Sequence, residues 1–515
     1  MPGTRLRPPP LRRPRAVLGT ALAAVAAGGL VAIAFAGCGV VGPGPISTVG
    51  KVDFETPLAI PPLAESTVDA DGTRVFALDA QAGTTEFVPG EPSATWGFNG
   101  SYLGPTLVAE RGEHVRVDVA NSLEEPTTVH WHGMHLPAEM DGGPHQMVAP
   151  DASWSPEWDI DQQAATLWYH PHPHGETEDH VARGLAGMFI LHDEHERSLG
   201  LPSEYGVDDV PVIVQDSGFS AEGEQESKQR GYAGGLGDEL IVNGTRGPYL
   251  DVADELVRLR LLNASTARTY AFTWSDARPV ELIATDGGLL EASVSLDHVR
   301  LSPGERAEVL LRVSPGERVV LQSKMTPEIS ALVGPVADTN GGSDAFDVLE
   351  VRAAEQLDPA SPVPAALNTI EDFDAADVAT TRTFTLDDSF EINGEAMDMG
   401  RIDETVTVDT LERWIVDNAT SLPHSFHVHD VQFRIASIDG AAPPPELAGW
   451  KDTIFTEPEK KYELLMRFED YADPDTPYMY HCHLLWHEDQ GMMGQFAVVE
   501  PGQRATMTEG THHEH

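Results

Sequence analysis

Residues 480–493 read YHCHLLWHEDQGMM, and this stretch decides how the chain is to be folded. Cys482 stands between His481 and His483, with His487 five positions and Met492 ten positions further on. A thiolate, an imidazole and a distant thioether are three of the four donors of a type 1 copper site, which takes two His and one Cys in a trigonal set with a weak axial Met. Side chains alternate along a β-strand. A strand through 481–483 therefore puts Cys482 on one face and both flanking histidines on the other, where they can hold further metal ions. Zinc is the competing reading of such a cluster, but structural zinc wants a closed tetrahedral set, and His-Cys-His in succession spreads its donors over two faces.

Working outward, the rest of the chain is also strand-like. Gly (47) and Pro (39) are frequent, and short apolar runs lie between turn residues. One pattern recurs three times: an Asn-Gly pair (Asn99-Gly100, Asn243-Gly244, Asn393-Gly394) followed by a strand ending at an asparagine, HVRVDVAN to Asn121, LVRLRLLN to Asn263 and LERWIVDN to Asn418. Alternation of this kind marks half-buried strands, and its return at domain-scale spacing predicts an all-β chain of three related sandwich domains. The expected boundaries are 66–198, 199–355 and 381–501, with a flexible tether over 39–65, a linker over 356–380 and a tail from 502.

Histidine is concentrated in the outer two of these domains. The first carries His130-Trp131-His132 and His170-Pro171-His172, with His174 beyond; the third carries His424, His427-Val428-His429 and the opening stretch; the middle has only His298. Each His-x-His on a strand aims both rings one way, so four pairs from two domains can converge on one cluster. Eight imidazoles suit three copper ions with open positions for a ligand. The middle domain reads as a spacer. His512, His513 and His515 form a polar tail.

Net charge is -49 over 515 residues, and such a surface repels nucleic acid while suiting cationic partners. Five arginines precede the uncharged stretch 16–35, and Phe35-Ala36-Gly37-Cys38 follows, the pattern of a lipoprotein signal in which Cys38 is lipidated. The expected location is extracytoplasmic, with a membrane anchor through Cys38 on the outer face of the cell membrane, or else secreted. An uncleaved anchor is the competing reading. With Cys38 so used, Cys482 has no disulfide partner.

Together the four histidine motifs resemble those of the three-domain multicopper oxidases, laccase-like and bacterial copper-efflux types, over nearly the whole chain beyond the tether. The resemblance implies cupredoxin-like Greek-key sandwiches and four copper ions. It assigns a type 1 copper to His424, Cys482, His487 and Met492, a type 2 copper to His130 and His427, and a type 3 pair to His132, His170, His172, His429, His481 and His483. It implies one-electron oxidation of a small-molecule donor (phenols, aromatic amines or cuprous ion) coupled to reduction of dioxygen to water. Asp141 and Glu488 match the family's acidic positions, expected to supply protons. Copper-efflux members use an Asp and a Met just before the first type 1 histidine together with a Met-rich insert. Here Thr420-Ser421-Leu422-Pro423 leads into His424 and the 13 methionines form no insert, which points to a laccase-like donor.

Overall fold

The computed structural model describes residues 45–221, 223–226, 228–230, 232–324 and 341–506. The segment with Cys38 and the terminal histidines lie outside these residues. The described chain forms three β-sandwiches of cupredoxin type, with helices of only five or six residues. The first pairs a sheet built on Arg74–Val88 and His114–Asn121 with a four-stranded sheet containing His130–His132, Ala165–His170 and Gly187–His192. The third pairs a four-stranded sheet around Thr410–Asn418 with a five-stranded sheet containing His424–Val428, Tyr478–Cys482 and Met493–Val499. Each sandwich encloses its own apolar core. No helix among the described residues is long and apolar enough to cross a membrane.

The threefold sequence pattern has a threefold structural role. Asn99, Asn243 and Asn393 all adopt positive φ (57°, 49° and 58°), a conformation Asn tolerates better than most residues. Each side chain accepts the backbone N–H of a residue on the opening strand of its sandwich (Asp79, Ile213, Thr385) and donates to the carbonyl two residues earlier (Ala77, Pro211, Thr383). Asn121, Asn263 and Asn418, all buried, each donate to two carbonyls and accept the N–H two residues on. In all three sandwiches the opening strand pairs in parallel with the strand that ends at this asparagine.

Two expectations are corrected. The strand Leu256–Asn263 is buried on both faces, whereas alternation implied one wet face. Its outward side carries Arg258 and Arg260, which meet Glu196 of the first sandwich together with Asp209 and Glu308 in a buried ion network. That polar face is an interdomain contact. The tether is not free beyond residue 44: Thr56–Pro57 pairs in parallel with Pro248–Tyr249, and Ile46 N–H donates to Asp344 at 2.8 Å, so the segment extends the edge of the middle sandwich. The strand Ala345–Asp358 likewise runs past position 355, and Leu367 of the following linker is buried against Leu201 and Leu289.

Candidate metal centres

The strand Tyr478–Cys482 divides its side chains as its sequence requires. Cys482 is buried in the apolar core of the third sandwich together with Met492. Its Sγ lies 3.5 Å from His424 Nδ1 and 3.7 Å from His487 Nδ1, and the two nitrogens are 3.2 Å apart. Two imidazoles and one thiol thus converge, with the buried Met492 in the same core. Each outer nitrogen is bonded: His424 Nε2–H to the Thr420 hydroxyl at 3.0 Å, and His487 Nε2–H to the Tyr232 carbonyl. Those bonds fix the tautomers and leave Nδ1 as the free donor of both rings. Burial pushes the Cys482 thiol up to about 12, so a bound cation must displace its proton.

On the opposite face, eight imidazoles meet at the junction of the first and third sandwiches, all of them buried. Register brings them there: His130 pairs with His170 across one sheet, and His427 pairs with His481 across the other. His130 Nδ1–H donates to Asp141 O and His427 Nδ1–H to Asp452 O, both at 2.9 Å, which leaves the Nε2 of each ring buried without a partner. His481 Nε2 lies 3.2 Å from His172 Nε2 and 3.2 Å from His429 Nε2, and His132 Nδ1 lies 3.4 Å from His170 Nε2. In His132, His170, His429 and His481 the other ring nitrogen carries a hydrogen bond to an oxygen, so unprotonated nitrogens face one another. Both nitrogens of His483 are also unpartnered. Buried polar atoms are normally paired, and opposed lone pairs repel until a cation sits between them. The donor set therefore fits copper, to which neutral imidazole is well suited.

The predicted ligands are accordingly brought to two places: His424, Cys482 and His487 to the first, with Met492 buried in the same core, and the other eight to the second. Burial, followed by the neighbouring imidazoles, depresses His132, His170, His424, His427 and His429; His172 and His483 fall to about 3, and His487, by burial, to about 4. These rings stay neutral in the fold while their unfolded counterparts protonate near 6.5, so stability is complete above that pH and falls as pH drops below it. At pH 5 each of the last three costs about 2 kcal/mol. Metal-free protein is therefore expected to unfold at markedly lower urea at pH 5 than at pH 7.5, with the copper-loaded form much less affected; equal midpoints for the metal-free protein would contradict it.

Both predicted acids lie at the cluster. Asp141 Oδ2 accepts His429 Nδ1–H at 2.8 Å, and Oδ1 lies 3.4 Å from His130 Nδ1 without a hydrogen bond. The backbone is tight there: Gly142 has φ 78°, and a Cβ on it would lie 1.8 Å from the Val129 carbonyl. Glu488 sits 3.1 Å from His481 Nδ1 and 3.3 Å from His172 Nδ1, and neither carboxylate oxygen makes a hydrogen bond. His174 is exposed and not part of the cluster. Sequence reasoning missed Asp452, Thr453 and Thr420, which hold ring nitrogens. One aspartate among 82 acidic residues and two threonines carry no spacing signal.

A pocket opens beside His424 and His487. Its walls include Tyr232, Leu422, Pro423, Phe455 and Leu484, and among the described residues no carboxylate and no methionine lines it. Arg268, the one Lys or Arg among its described walls, is engaged by Asp216 and Asp344 at 2.8 Å each.

A thiol–imidazole site one residue from a multi-imidazole cluster, on cupredoxin sandwiches, defines a copper redox protein as a class. Two multicopper oxidase family models match residues 79–196 and 362–502. The chain is 36% identical over 446 residues to the multicopper oxidase mco of Staphylococcus haemolyticus, covering 86% of this chain and 92% of that one. It is 38% identical over 451 residues to the cell division protein FtsP of Dickeya dadantii, covering 86% and 93%. Among solved structures, a laccase from Pediococcus acidilactici superposes with a TM-score of 0.79 at 34% identity, covering 87% of this chain and 94% of that one. The chain belongs to the multicopper oxidase family.

Proposed function

We propose that the protein is a laccase-like oxidase that takes electrons one at a time from phenols or aromatic amines. Four copper ions are held as the motifs imply: one by His424, Cys482, His487 and Met492, one by His130 and His427, and a pair by His132, His170, His172, His429, His481 and His483. Bound copper supplies one-electron chemistry, and four electrons reduce one dioxygen to two waters. The chain contributes the conduit, since the Cys482 side chain and its own backbone lead to His481 and His483. It also excludes bulk water from both sites, whose ligands are buried.

The observation that carries the reading is the pocket at His424 and His487: apolar walls suit a planar aromatic donor, while soft thioethers and carboxylates, the groups that would dock cuprous ion, do not line its described part. The same lining argues against the cationic donors that net charge alone suggested. The relatives bear both oxidase and cell-division names, so they do not choose between an enzyme and a binding protein. The convergent thiol and imidazole groups and the unpartnered imidazole nitrogens support the enzyme. We also retain, as a proposal, export with anchoring through Cys38.

Steady-state kinetics decide the donor. Fully copper-loaded protein is expected to oxidise a methoxyphenol without added copper, and to use chelated cuprous ion poorly. Efficient cuprous turnover beside a phenol activity that appears only with excess copper would overturn the reading.

A further inference from the structure

Among the described residues the middle sandwich contributes none of the proposed copper ligands, yet its segment 302–306 reaches the imidazole cluster. Ser302 Oγ bonds Ser425 Oγ at 2.9 Å, and Gly304 (φ 86°) packs so closely that a Cβ there would lie 3.0 Å from the His483 ring. Arg306, fully buried, directs a bidentate fork at Asp452 of the third sandwich, Nη1 to Oδ1 at 2.7 Å and Nη2 to Oδ2 at 2.5 Å. Its remaining donors go to backbone carbonyls: Nε to Thr166 of the first sandwich at 2.9 Å, Nη1 to Gly304 and Nη2 to Asp286. One side chain therefore joins all three sandwiches. Lys451, next to Asp452, is held by Asp286 at 2.9 Å and Glu305 at 3.0 Å, both of the middle sandwich.

Asp452 in turn touches one histidine from each outer sandwich. Its carboxylate Oδ1 accepts His132 Nε2–H at 3.1 Å, while its backbone carbonyl accepts His427 Nδ1–H at 2.9 Å. Thr453 gives its hydroxyl proton to Asp452 Oδ1 at 2.9 Å and lies 3.0 Å from His132 Nε2 and 3.1 Å from His427 Nδ1. The two rings are stacked, centroids 3.8 Å apart and planes 11° apart. They present opposite nitrogens to the cluster, Nδ1 from His132 and Nε2 from His427. Stacked rings do not choose opposite tautomers unaided; a side-chain acceptor for one and a main-chain acceptor for the other impose it. A buried carboxylate holds such a position only when a well-oriented cation compensates its desolvation, and a planar guanidinium fork also fixes the plane of the carboxylate.

We propose that Asp452 and Thr453, locked by Arg306 of the middle sandwich, are positioning residues that set the tautomer and orientation of His132 and His427, so that the ligand-free middle sandwich governs metal retention by the cluster. This rests on the reading that the cluster holds copper. Loss of an outer partner of a metal ligand typically weakens retention about 10–100-fold.

The test uses the full chain with Arg306→Lys, which keeps the charge and loses the fork, Asp452→Asn, and Thr453→Val as a mild variant that carries the test if the first two do not fold. Each is expected to keep the blue absorption of the Cys482 site per mole of protein. Arg306→Lys and Asp452→Asn should release cluster copper to a chelator about 10–100-fold faster than the parent and show an altered type 2 electron paramagnetic resonance signal, with Thr453→Val shifted the same way by less. In metal-free parent protein, ¹⁵N spectra of labelled histidine should place the His132 proton on Nε2 and the His427 proton on Nδ1, and Asp452→Asn should scramble the former. Variants that melt earlier yet keep parental copper release and type 2 signal would reduce Arg306 to an interface contact and overturn the proposal. So would a His132 proton on Nδ1 in the metal-free parent. If the parent cluster takes up no copper, the oxidase reading fails while the tautomers still judge the clamp.

Discussion

Replacing Cys482 by serine is expected to abolish the blue absorption and lower oxidase turnover about 100-fold or more, at least the scale on which losing a mere outer partner of a metal ligand acts. The substitution removes the Sγ that lies 3.5 Å and 3.7 Å from the two Nδ1 donors of its site, and an alcohol is a far poorer donor to copper than a thiolate. It also removes the sulfur end of the short covalent route to His481 and His483. The fold should survive, because serine is smaller than cysteine and one unpartnered hydroxyl in the core costs about 1–3 kcal/mol. The eight imidazoles are untouched, so copper should still load there and give a type 2 signal. A Cys482→Ser protein that loads fully and oxidises a phenol at the parental rate would show that electrons enter elsewhere.

How much of this was legible in the sequence depended on whether a feature carried a period. His-x-His on a strand is a two-residue period, and the face it selects does not depend on distant neighbours, so the eight paired histidines lie buried together at one junction. The repeated Asn-Gly and strand-end Asn could be found because each solves a local problem, bridging to the opening strand or closing a turn, and the same problem arises in each sandwich. Residues whose role depends on another domain gave no such signal. Arg258 and Arg260 looked like the wet face of a strand, and only the arrival of Glu196 and Glu308 makes that face buried. Arg306 and Asp452 are 146 positions apart and belong to no motif. The stretch 45–65, with Pro45, Pro57, Pro61 and Pro62, read as a tether because composition records what a segment does alone, and the free edge of the middle sandwich is what gives it order.

Glu488→Gln and Asp141→Asn should each keep the blue site and slow dioxygen reduction by about 10²–10⁴-fold, the range for a positioned acid or base. Reducing dioxygen to two waters consumes four protons, and the cluster is sealed by buried rings. A group that delivers protons there must be buried, close and not committed to a permanent partner. Glu488 meets all three conditions, since it is buried, lies 3.1 Å and 3.3 Å from two cluster imidazoles, and has both oxygens free of hydrogen bonds. Asp141 divides its oxygens, Oδ2 steadying His429 and Oδ1 left open, so its loss should combine slower proton delivery with some disturbance of the cluster. The amides preserve shape while removing the negative charge and the ability to exchange a proton. In stopped-flow experiments, anaerobic bleaching of the blue band by a phenol should therefore run at the parental rate, while its return on mixing with oxygen should lag. Slowed bleaching with normal recovery would place these carboxylates on the donor side; parental rates for both steps across pH would make them bystanders.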